Sequence, residues 1–320
     1  MSFSAIKGQD RPIEMLRKAI REETVAKAYL FSGPDGIGKK QVALTLAAAL
    51  NCQEGGDDAC GKCNSCLKIK NNQHPDLHLI KDENNSIKID QIRELERRIS
   101  LKPYEARIKV YIIDNAHNLT AESSNALLKT LEEPPRDSVI ILVSSKPTLL
   151  FKTIISRCQS IRFYPLIRKD LENLLKSDYG LDSLEAHFLA YFCEGRAGGA
   201  MRLKEAGFYH EKNKVIDEFA LGHGAGISGT LSLENRDLFR QDINILVSWF
   251  RDIYLLKFGM SENRVINFDR RRELAKITDK YSLIELKGTF DFLSDVLLRL
   301  DQNVNVKLLI SNLRAELWKK

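Results

Sequence analysis

Residues 28–40 read AYLFSGPDGIGKK, a short apolar run that passes directly into a glycine-rich loop. The run over residues 28–32 has the length and composition of a buried β-strand, and residues 41–51 have the apolar pattern of a buried helix. The loop between them fits G-x4-G-K, the motif whose backbone N–H groups and following helix N-terminus cradle phosphate. The stretch therefore predicts an α/β fold built around a phosphate-binding loop.

The loop keeps the residues that bind phosphate and lacks the residue that binds metal. Gly33 and Gly38 supply the turns of the motif, and Lys39 is placed to reach the terminal phosphates of a nucleotide. The next position is normally Ser or Thr, whose hydroxyl is a ligand of Mg²⁺, but here it is Lys40. An ammonium group has no lone pair to offer a metal, so this position cannot serve as that ligand.

A second departure lies at the end of the next central strand. Residues 109–113 form a β-rich apolar run that ends at Asp114, followed by Asn115. A nucleotide-hydrolysing protein of this type would have two carboxylates here, one for the metal and one to activate water. Asn115 cannot accept a proton from water, and Asp114 could instead serve only as a helix-capping carboxylate. We therefore expect that hydrolysis is lost and that ATP binding is doubtful.

Four cysteines lie close together in the sequence, with the pattern Cys52-x7-Cys60-x2-Cys63-x2-Cys66. Such spacing is typical of a tetrahedral thiolate site, and nearby glycines allow the turns that a small metal knuckle needs. We predict structural zinc, because all four ligands come from the protein and no position is left open for chemistry. The alternatives are an iron–sulfur cluster and four metal-free thiols. Two neighbouring histidines, His74 and His78, are interpreted as solvated surface residues.

The remaining composition indicates an ordinary water-soluble protein of several domains. The 320 residues carry a formal charge of +6, from 49 basic and 43 acidic residues, which permits contact with nucleic acid without requiring it. No apolar run approaches the roughly 18 residues of a membrane span. The N-terminus lacks the layout of a signal peptide. A cytoplasmic protein with no membrane contact is expected.

Beyond these features, several sequence boxes resemble those of bacterial DNA polymerase III clamp-loader subunits, which are AAA+ proteins. The similarity is carried by Gly8-Gln9, by the strand and phosphate loop, and above all by NALLKTLEEPP at residues 125–135. Ser156-Arg157-Cys158 resembles the arginine-finger motif of that family, and Asn303-Val304-Asn305 resembles a recurrent element of its oligomerising collar. The boxes span nearly the whole chain in the order that the family has them.

The resemblance implies a particular domain organisation. Strands alternate with helices up to residue 165, and only helical patterns follow. We therefore predict an AAA+ nucleotide-binding-like domain with a parallel sheet at 1–165, carrying the cysteine insert at about 52–66. A small helical lid domain at 166–208 and an all-helical collar domain for oligomerisation at 209–320 complete the prediction.

The same resemblance implies roles for single residues. Arg157 would act in trans as a finger on a neighbour's ATP, and Ser145 would stand where the family has its first sensor. Arg93 and Lys129 would contact the phosphates of primed DNA, which is a sequence-independent role. From the residues alone, Arg157 could instead pair with a local carboxylate, and Arg93 could belong to a solvated helix face paired with neighbouring glutamates.

The resemblance also implies partners. These are the ATPase subunits (gamma/tau), the delta subunit, the sliding clamp, and primed DNA through the assembled complex. Within the family we predict a non-hydrolysing subunit, because the metal-binding hydroxyl and the second carboxylate are missing. Two alternatives are an active ATPase subunit of the gamma/tau kind and a stand-alone, zinc-dependent nucleic-acid binder whose phosphate loop is a relic.

Overall fold

The computed structural model describes residues 1–221, 236–302 and 304–317. They form two compact units, the first made of residues 1–166 together with 196–198, and the second made of residues 167–195 and the described residues from 199 onward. The predicted division into three domains at 165/166 and 208/209 stays a prediction. Asn303 of the predicted collar element lies outside the described residues.

The first unit is built on a five-stranded sheet in which every neighbouring pair of strands is parallel. This confirms the predicted α/β class. In chain order the strands are β1 (Ala28–Ser32), β2 (Leu77–Ile80), β3 (Lys109–Ile113), β4 (Ser138–Ser144) and β5 (Gln159–Arg162), and in space they follow the order β2-β3-β4-β1-β5. The three central strands were predicted, whereas the edge strands β2 and β5 were not.

Helices cover both faces of this sheet, as a parallel sheet requires. They are α1 (Asp10–Arg21), α2 (Lys39–Leu50), α3 (Asn64–Lys70), α4 (Ile89–Ile99), α5 (Ala121–Glu132) and α6 (Lys152–Ile155). Because side chains alternate along a strand, successive residues of β1 enter different cores. Phe31 packs in the cluster that contains Leu46 of α2, and Leu30 packs in the cluster that contains Leu127 of α5.

The residues at the two ends of α5 determine where this helix begins and where it stops. The Thr120 side chain accepts a hydrogen bond from the Ser123 backbone N–H at 3.2 Å and so caps the helix start. Pro134 and Pro135 follow the last helical residue and cannot continue the helix, because proline has no amide proton to donate. The NALLKTLEEPP box is therefore the C-terminal part of a capped helix, followed by an enforced stop.

Helices are the only regular elements among the described residues of the second unit. Its helices are α7 (Arg168–Ser177), α8 (Ser183–Phe192), α9 (Ala197–Glu205), α10 (Phe208–Val215), α11 (Arg236–Lys257), α12 (Arg271–Thr278), α13 (Leu283–Asp301) and α14 (Val306–Leu317). The first residues of α9 belong to the first unit. Helix α7 packs on α8, and the long α11 packs on both α12 and α13.

The core of the second unit contains charged groups, each of which has a partner. The Lys212 ammonium is fully buried, lies 2.6 Å from an Asp269 carboxylate oxygen, and sits over the Phe188 ring. The buried Asp252 carboxylate accepts hydrogen bonds from the backbone N–H groups of Ile266 and Asn267, at 2.9 and 2.8 Å. These bonds fix the segment before α12 against α11, because a buried charge is tolerated only when it is paired.

Within residues 1–221, 236–302 and 304–317, no helix is both long enough and apolar enough to cross a membrane.

A buried carboxylate organises the loop that leads into β3. Asp76 is only 4% exposed, and its oxygens accept hydrogen bonds from the backbone N–H groups of Tyr104, Glu105 and Ala106 at 2.8–3.1 Å. Burial alone would raise the pKa of this carboxyl, but the N–H bonds outweigh burial and hold the pKa below its usual range. Asp76 therefore fixes the chain just before β3, the strand that precedes Asp114.

We predict that Asp76→Asn will lower the free energy of unfolding by about 1–3 kcal/mol, because an amide NH₂ would then face backbone donors. A carboxyl with a depressed pKa contributes stability above its unfolded pKa and loses that contribution as the pH falls. The difference between wild type and variant should therefore shrink below about pH 4. Urea unfolding at several pH values measures this. Asp137→Asn, which changes an exposed carboxylate, is the control, and an equal effect of the two substitutions would contradict the assignment.

Candidate functional site

The phosphate loop leaves β1 at the carboxyl edge of the sheet and needs glycine at two positions. At Gly33 (φ +147°), a Cβ atom would lie 2.5 Å from the carbonyl oxygen of Phe163, so a larger residue would clash with the backbone after β5. Gly38 is left-handed (φ +92°) and immediately precedes α2. The strand, the loop and the helix therefore have the arrangement that the motif predicted.

Gln9 holds this loop in place. The side chain of Gln9 is buried, and its amide donates to the carbonyl oxygens of Ile37 in the loop and Tyr164 after β5, at 3.1 and 2.8 Å. Gly8 has a left-handed backbone (φ +76°), and a Cβ atom there would lie 2.2 Å from the Leu166 side chain, so a larger residue would be strained. The Gly8-Gln9 box thus has a physical basis: it joins the N-terminus, the phosphate loop and the end of the sheet.

Lys39 is folded back onto its own loop. Its side chain is 5% exposed, and the ammonium donates to the carbonyl oxygens of Gly33 and Pro34, both at 2.6 Å. Burial lowers the pKa of Lys39, while the nearby carboxylates of Asp35 and Asp114 oppose that shift. The residue predicted to reach nucleotide phosphates therefore already has partners within the loop.

The side chains at the two positions needed for hydrolysis, 40 and 115, also have partners within the protein. Lys40 Nζ lies 2.9 Å from a carboxylate oxygen of Asp114. Asn115 is in the left-handed region (φ +51°), and its amide donates at 3.0 Å to Asp82. The hydrogen bonds that Asp82 accepts from Asn115 and Asn118 hold the pKa of its carboxyl below the usual range. Sequence reasoning missed Asp82, since no motif marks it.

Ser145 directly follows β4, the strand that pairs with β1. Its Oγ is buried and has no hydrogen-bond partner among the described residues. The preceding residue, Ser144, is the one that makes contacts: its Oγ lies 3.3 Å from His117 Nδ1 and accepts from the Lys146 N–H at 3.2 Å. The sensor role of Ser145 stays a prediction.

The structure brings the four predicted cysteines together. The sulfur atoms of Cys52, Cys60, Cys63 and Cys66 all lie within 4.8 Å of one another. Backbone N–H groups point at these sulfurs, with 3.3 Å from the Cys63 nitrogen to the Cys60 sulfur. Sulfurs bonded to one zinc at about 2.3 Å lie about 3.8 Å apart, so the cluster fits a single ion. A polynuclear iron–sulfur cluster would spread the sulfurs further.

The cysteine insert is tied to the start of the chain. Asp57 pairs with Arg17 and Arg21 of α1, at 3.1 and 2.7 Å. Asp58 accepts a hydrogen bond from the Phe3 backbone N–H at 2.7 Å. A metal that orders the insert would therefore also order the first turn of the protein and α1.

The prediction that His74 and His78 are solvated is wrong. His74 is 5% exposed, and its Nδ1 accepts a hydrogen bond from the Asp76 N–H at 3.2 Å. His78 lies on β2 and stacks on the ring of Tyr111, with 4.6 Å between centroids. Burial lowers the pKa of both histidines. His78 lies on an edge strand that the sequence pattern did not predict, and His74 lies in the turn that leads into it.

Arg157 follows α6 and has local partners. Its guanidinium forms an ion pair with Glu132 at the end of α5 and donates to the Thr153 carbonyl oxygen at 3.0 Å. The side chains of Arg157 and Glu132 are 33% and 51% exposed. An exposed pair of this kind contributes little stability, so the arginine can leave it at small cost.

Arg93 and Lys129 line one groove between α4 and α5, with a volume of about 920 Å³. Arg93 lies 3.9 Å from Asp90, and Lys129 is exposed. The charged lining of the groove is balanced, with three basic and three acidic side chains: Arg93, Arg97, Lys129, Asp90, Glu96 and Glu133. The two predicted DNA contacts therefore share a surface, but that surface is not strongly basic.

A parallel sheet of order β2-β3-β4-β1-β5, with a phosphate loop after β1 and an aspartate after β3, defines an AAA+-like P-loop fold. A solved gamma subunit-related DNA polymerase III protein from Thermotoga maritima has a similar fold. Its TM-score is 0.51 at 17% identity, and the match covers 95% of this chain and 97% of the other.

Comparison of the sequence with known proteins identifies the family more narrowly than the fold does. The family described as "DNA polymerase III, delta subunit" matches residues 8–167, and its C-terminal counterpart matches residues 207–317. DNA polymerase III subunit delta′ of Bacillus subtilis is 31% identical over 95% of this chain and 94% of its own length. Subunit tau of Bacillus subtilis is 39% identical, but the match covers 50% of this chain and 29% of tau. The chain belongs to the delta-prime family of DNA polymerase III clamp-loader subunits.

Proposed function

We propose that this chain is a clamp-loader subunit that does not hydrolyse ATP and instead completes the ATP site of a neighbouring subunit. Its partners would be the ATPase subunits (gamma/tau) and the delta subunit, and the assembly would place the sliding clamp on primed DNA in the bacterial cytoplasm. The observation that carries the proposal is that the side chains at positions 40 and 115, which hydrolysis would need, are each bound to another side chain. Lys40 is bound to Asp114, and Asn115 is bound to Asp82.

An active ATPase subunit of the gamma/tau kind is the second candidate, supported by the identity with tau over half of this chain. It would need a hydroxyl at position 40 and a carboxylate at position 115. The stand-alone zinc-binding alternative is disfavoured, because the family match extends over the C-terminal helices as well. We propose that these helices form the oligomerising collar and that residues 166–208 form the lid.

We also propose that the four cysteines hold one structural zinc ion. The support is the convergence of four sulfurs in an insert with no fifth protein ligand nearby among the described residues. Burial raises the pKa of the Cys66 thiol to about 12, so metal binding must displace its proton. Zinc would order the insert and, through Asp57 and Asp58, the N-terminal segment.

DNA contact through Arg93 and Lys129 is a smaller part of the proposal. Both side chains line the α4–α5 groove, but its acidic residues offset their charge. We therefore propose a minor, sequence-independent contribution to binding of primed DNA in the assembled complex.

Metal analysis should find about one zinc per chain, and Cys63→Ser with Cys66→Ser should remove it. Hydrogen exchange should then rise in residues 1–4 and 52–66 while the amides of β4 stay protected, because the sheet does not depend on the insert. Cys158→Ala, outside the cluster, is the control and should keep the zinc. A protein with iron in place of zinc, or with no bound metal, would overturn the assignment.

The isolated chain should release no phosphate from ATP above background, because neither a metal-binding hydroxyl nor a carboxylate at position 115 is present. Lys40→Thr alone should not restore turnover, since Asn115 still faces Asp82. A radiolabelled phosphate-release assay measures this. Turnover by the wild type that disappears in Lys39→Ala would instead establish the active-ATPase candidate.

In a reconstituted loader, Arg157→Ala should leave assembly intact and lower clamp- and DNA-stimulated ATP turnover. We expect a loss of roughly two- to tenfold, well below the ~10³–10⁵ of single-site systems, because only one of several sites is completed by this chain. A planar, permanently charged guanidinium suits the charge of a transferring phosphoryl group, so Arg157→Lys should also be poor.

Glu132→Gln is the matched control for the Arg157 prediction. It removes the local partner of Arg157 while keeping the arginine, and a trans-acting arginine should tolerate it. If Arg157 only supports the end of α5, the two substitutions will have the same effect. If the Arg157→Ala complex loads clamps at the wild-type rate, the role of this subunit is that of a scaffold only.

A further inference from the structure

The ion pair between Lys40 and Asp114 joins the first turn of α2 to the end of β3. The two charged groups are 2.9 Å apart, and the side chains are 37% and 19% exposed. In P-loop proteins that use Mg²⁺, the hydroxyl that follows the loop lysine and the aspartate after this strand both serve the metal. The ammonium of Lys40 therefore lies where those two metal-directed groups would meet.

An ammonium and a magnesium ion cannot share this space. The ammonium carries a positive charge and has three donors and no acceptor, so it repels the metal and offers it no ligand. Asp114, the remaining carboxylate, is already bound to that cation. A magnesium–nucleotide complex would have to separate this pair and approach a like charge.

We propose that Lys40 is a built-in substitute for magnesium: it neutralises Asp114, keeps the phosphate loop folded without metal or nucleotide, and excludes the magnesium–nucleotide complex. The Lys40 ammonium thus makes the site select against ligands that carry magnesium.

The neighbouring lysine supports this inference independently. Lys39 donates to the carbonyl oxygens of Gly33 and Pro34, both at 2.6 Å, and is almost fully buried. Within the described structure, the cation that would bind phosphate and the cation at the metal position are both held by the protein itself. Nucleotide entry would have to break both sets of contacts.

The test compares thermal unfolding of the full chain in EDTA, in Mg²⁺, and in Mg²⁺ with ATP. The wild-type midpoint should be the same in all three conditions. Lys40→Thr should lower the midpoint in EDTA by roughly 2–4 °C, because Asp114 loses its partner. Mg²⁺ with ATP should then raise the midpoint of the variant by a similar amount, because the hydroxyl and Asp114 form a metal site.

A control variant and a replacement set of variants keep the test decisive. Lys68→Met removes a lysine of similar exposure that lies 2.7 Å from Glu105, and its midpoint should not respond to Mg²⁺ with ATP. If Lys40→Thr does not fold, Lys40→Met, Asp114→Asn and their combination replace it. The double variant should then lose less than the two single losses together, since no unpaired charge remains.

Two results would overturn the inference. One is a wild-type midpoint raised by Mg²⁺ with ATP and restored by EDTA. The other is a Lys40→Thr variant that does not respond to Mg²⁺ with ATP. The inference rests on the proposed non-hydrolysing role, but its readouts are stability and binding. The proposed function would fail separately, through ATP turnover by the isolated chain or normal clamp loading by Arg157→Ala.

Discussion

Parallel pairing of five strands is the constraint on which the rest of the α/β unit depends. All carboxyl ends of the strands point to one edge, and both faces must be covered by helices. The loop after β1, Asp114 after β3 and Ser145 after β4 therefore lie along the same edge of the sheet, although more than 100 residues separate the first from the last. Open α/β sheets bind ligands at this edge because helix N-termini and loop N–H groups converge there.

In this chain the protein's own side chains occupy the binding edge. Lys39 bonds to carbonyl oxygens of the loop, Lys40 bonds to Asp114, and Asn115 turns toward Asp82. In the proposed non-hydrolysing role, these contacts would take the place of those that a bound nucleotide and metal make. The ammonium groups of Lys39 and Lys40 both have partners within the protein, as buried or half-buried charges require.

Buried polar side chains then attach the remaining segments to the sheet. Gln9 joins the N-terminus to the phosphate loop and to the strand beside it, and Asp76 fixes the approach to β3. Asn51 accepts from the N–H groups of Arg107 and Ile108, which ties the end of α2, next to the cysteine insert, to the same approach. Hydrogen bonds thus link the segment that leads into the cysteine insert, the phosphate loop and the approach to the strand that precedes Asp114 to the same unit.

The sequence by itself determined the features that depend on residues a few positions apart. The phosphate loop, the helix that stops before Pro134, the cysteine spacing and the missing hydroxyl at Lys40 are local, because each depends on neighbouring backbone conformation or on ligand type. The edge strand β2 escaped prediction because it has only four residues, and His78, which stacks on Tyr111, was misjudged with it. Only the tertiary structure decided the partners: Lys40 with Asp114, Asn115 with Asp82 at 33 positions' separation, and Gln9 with Tyr164 at 155. Such pairs depend on the strand order and register of the sheet, which no local pattern specifies.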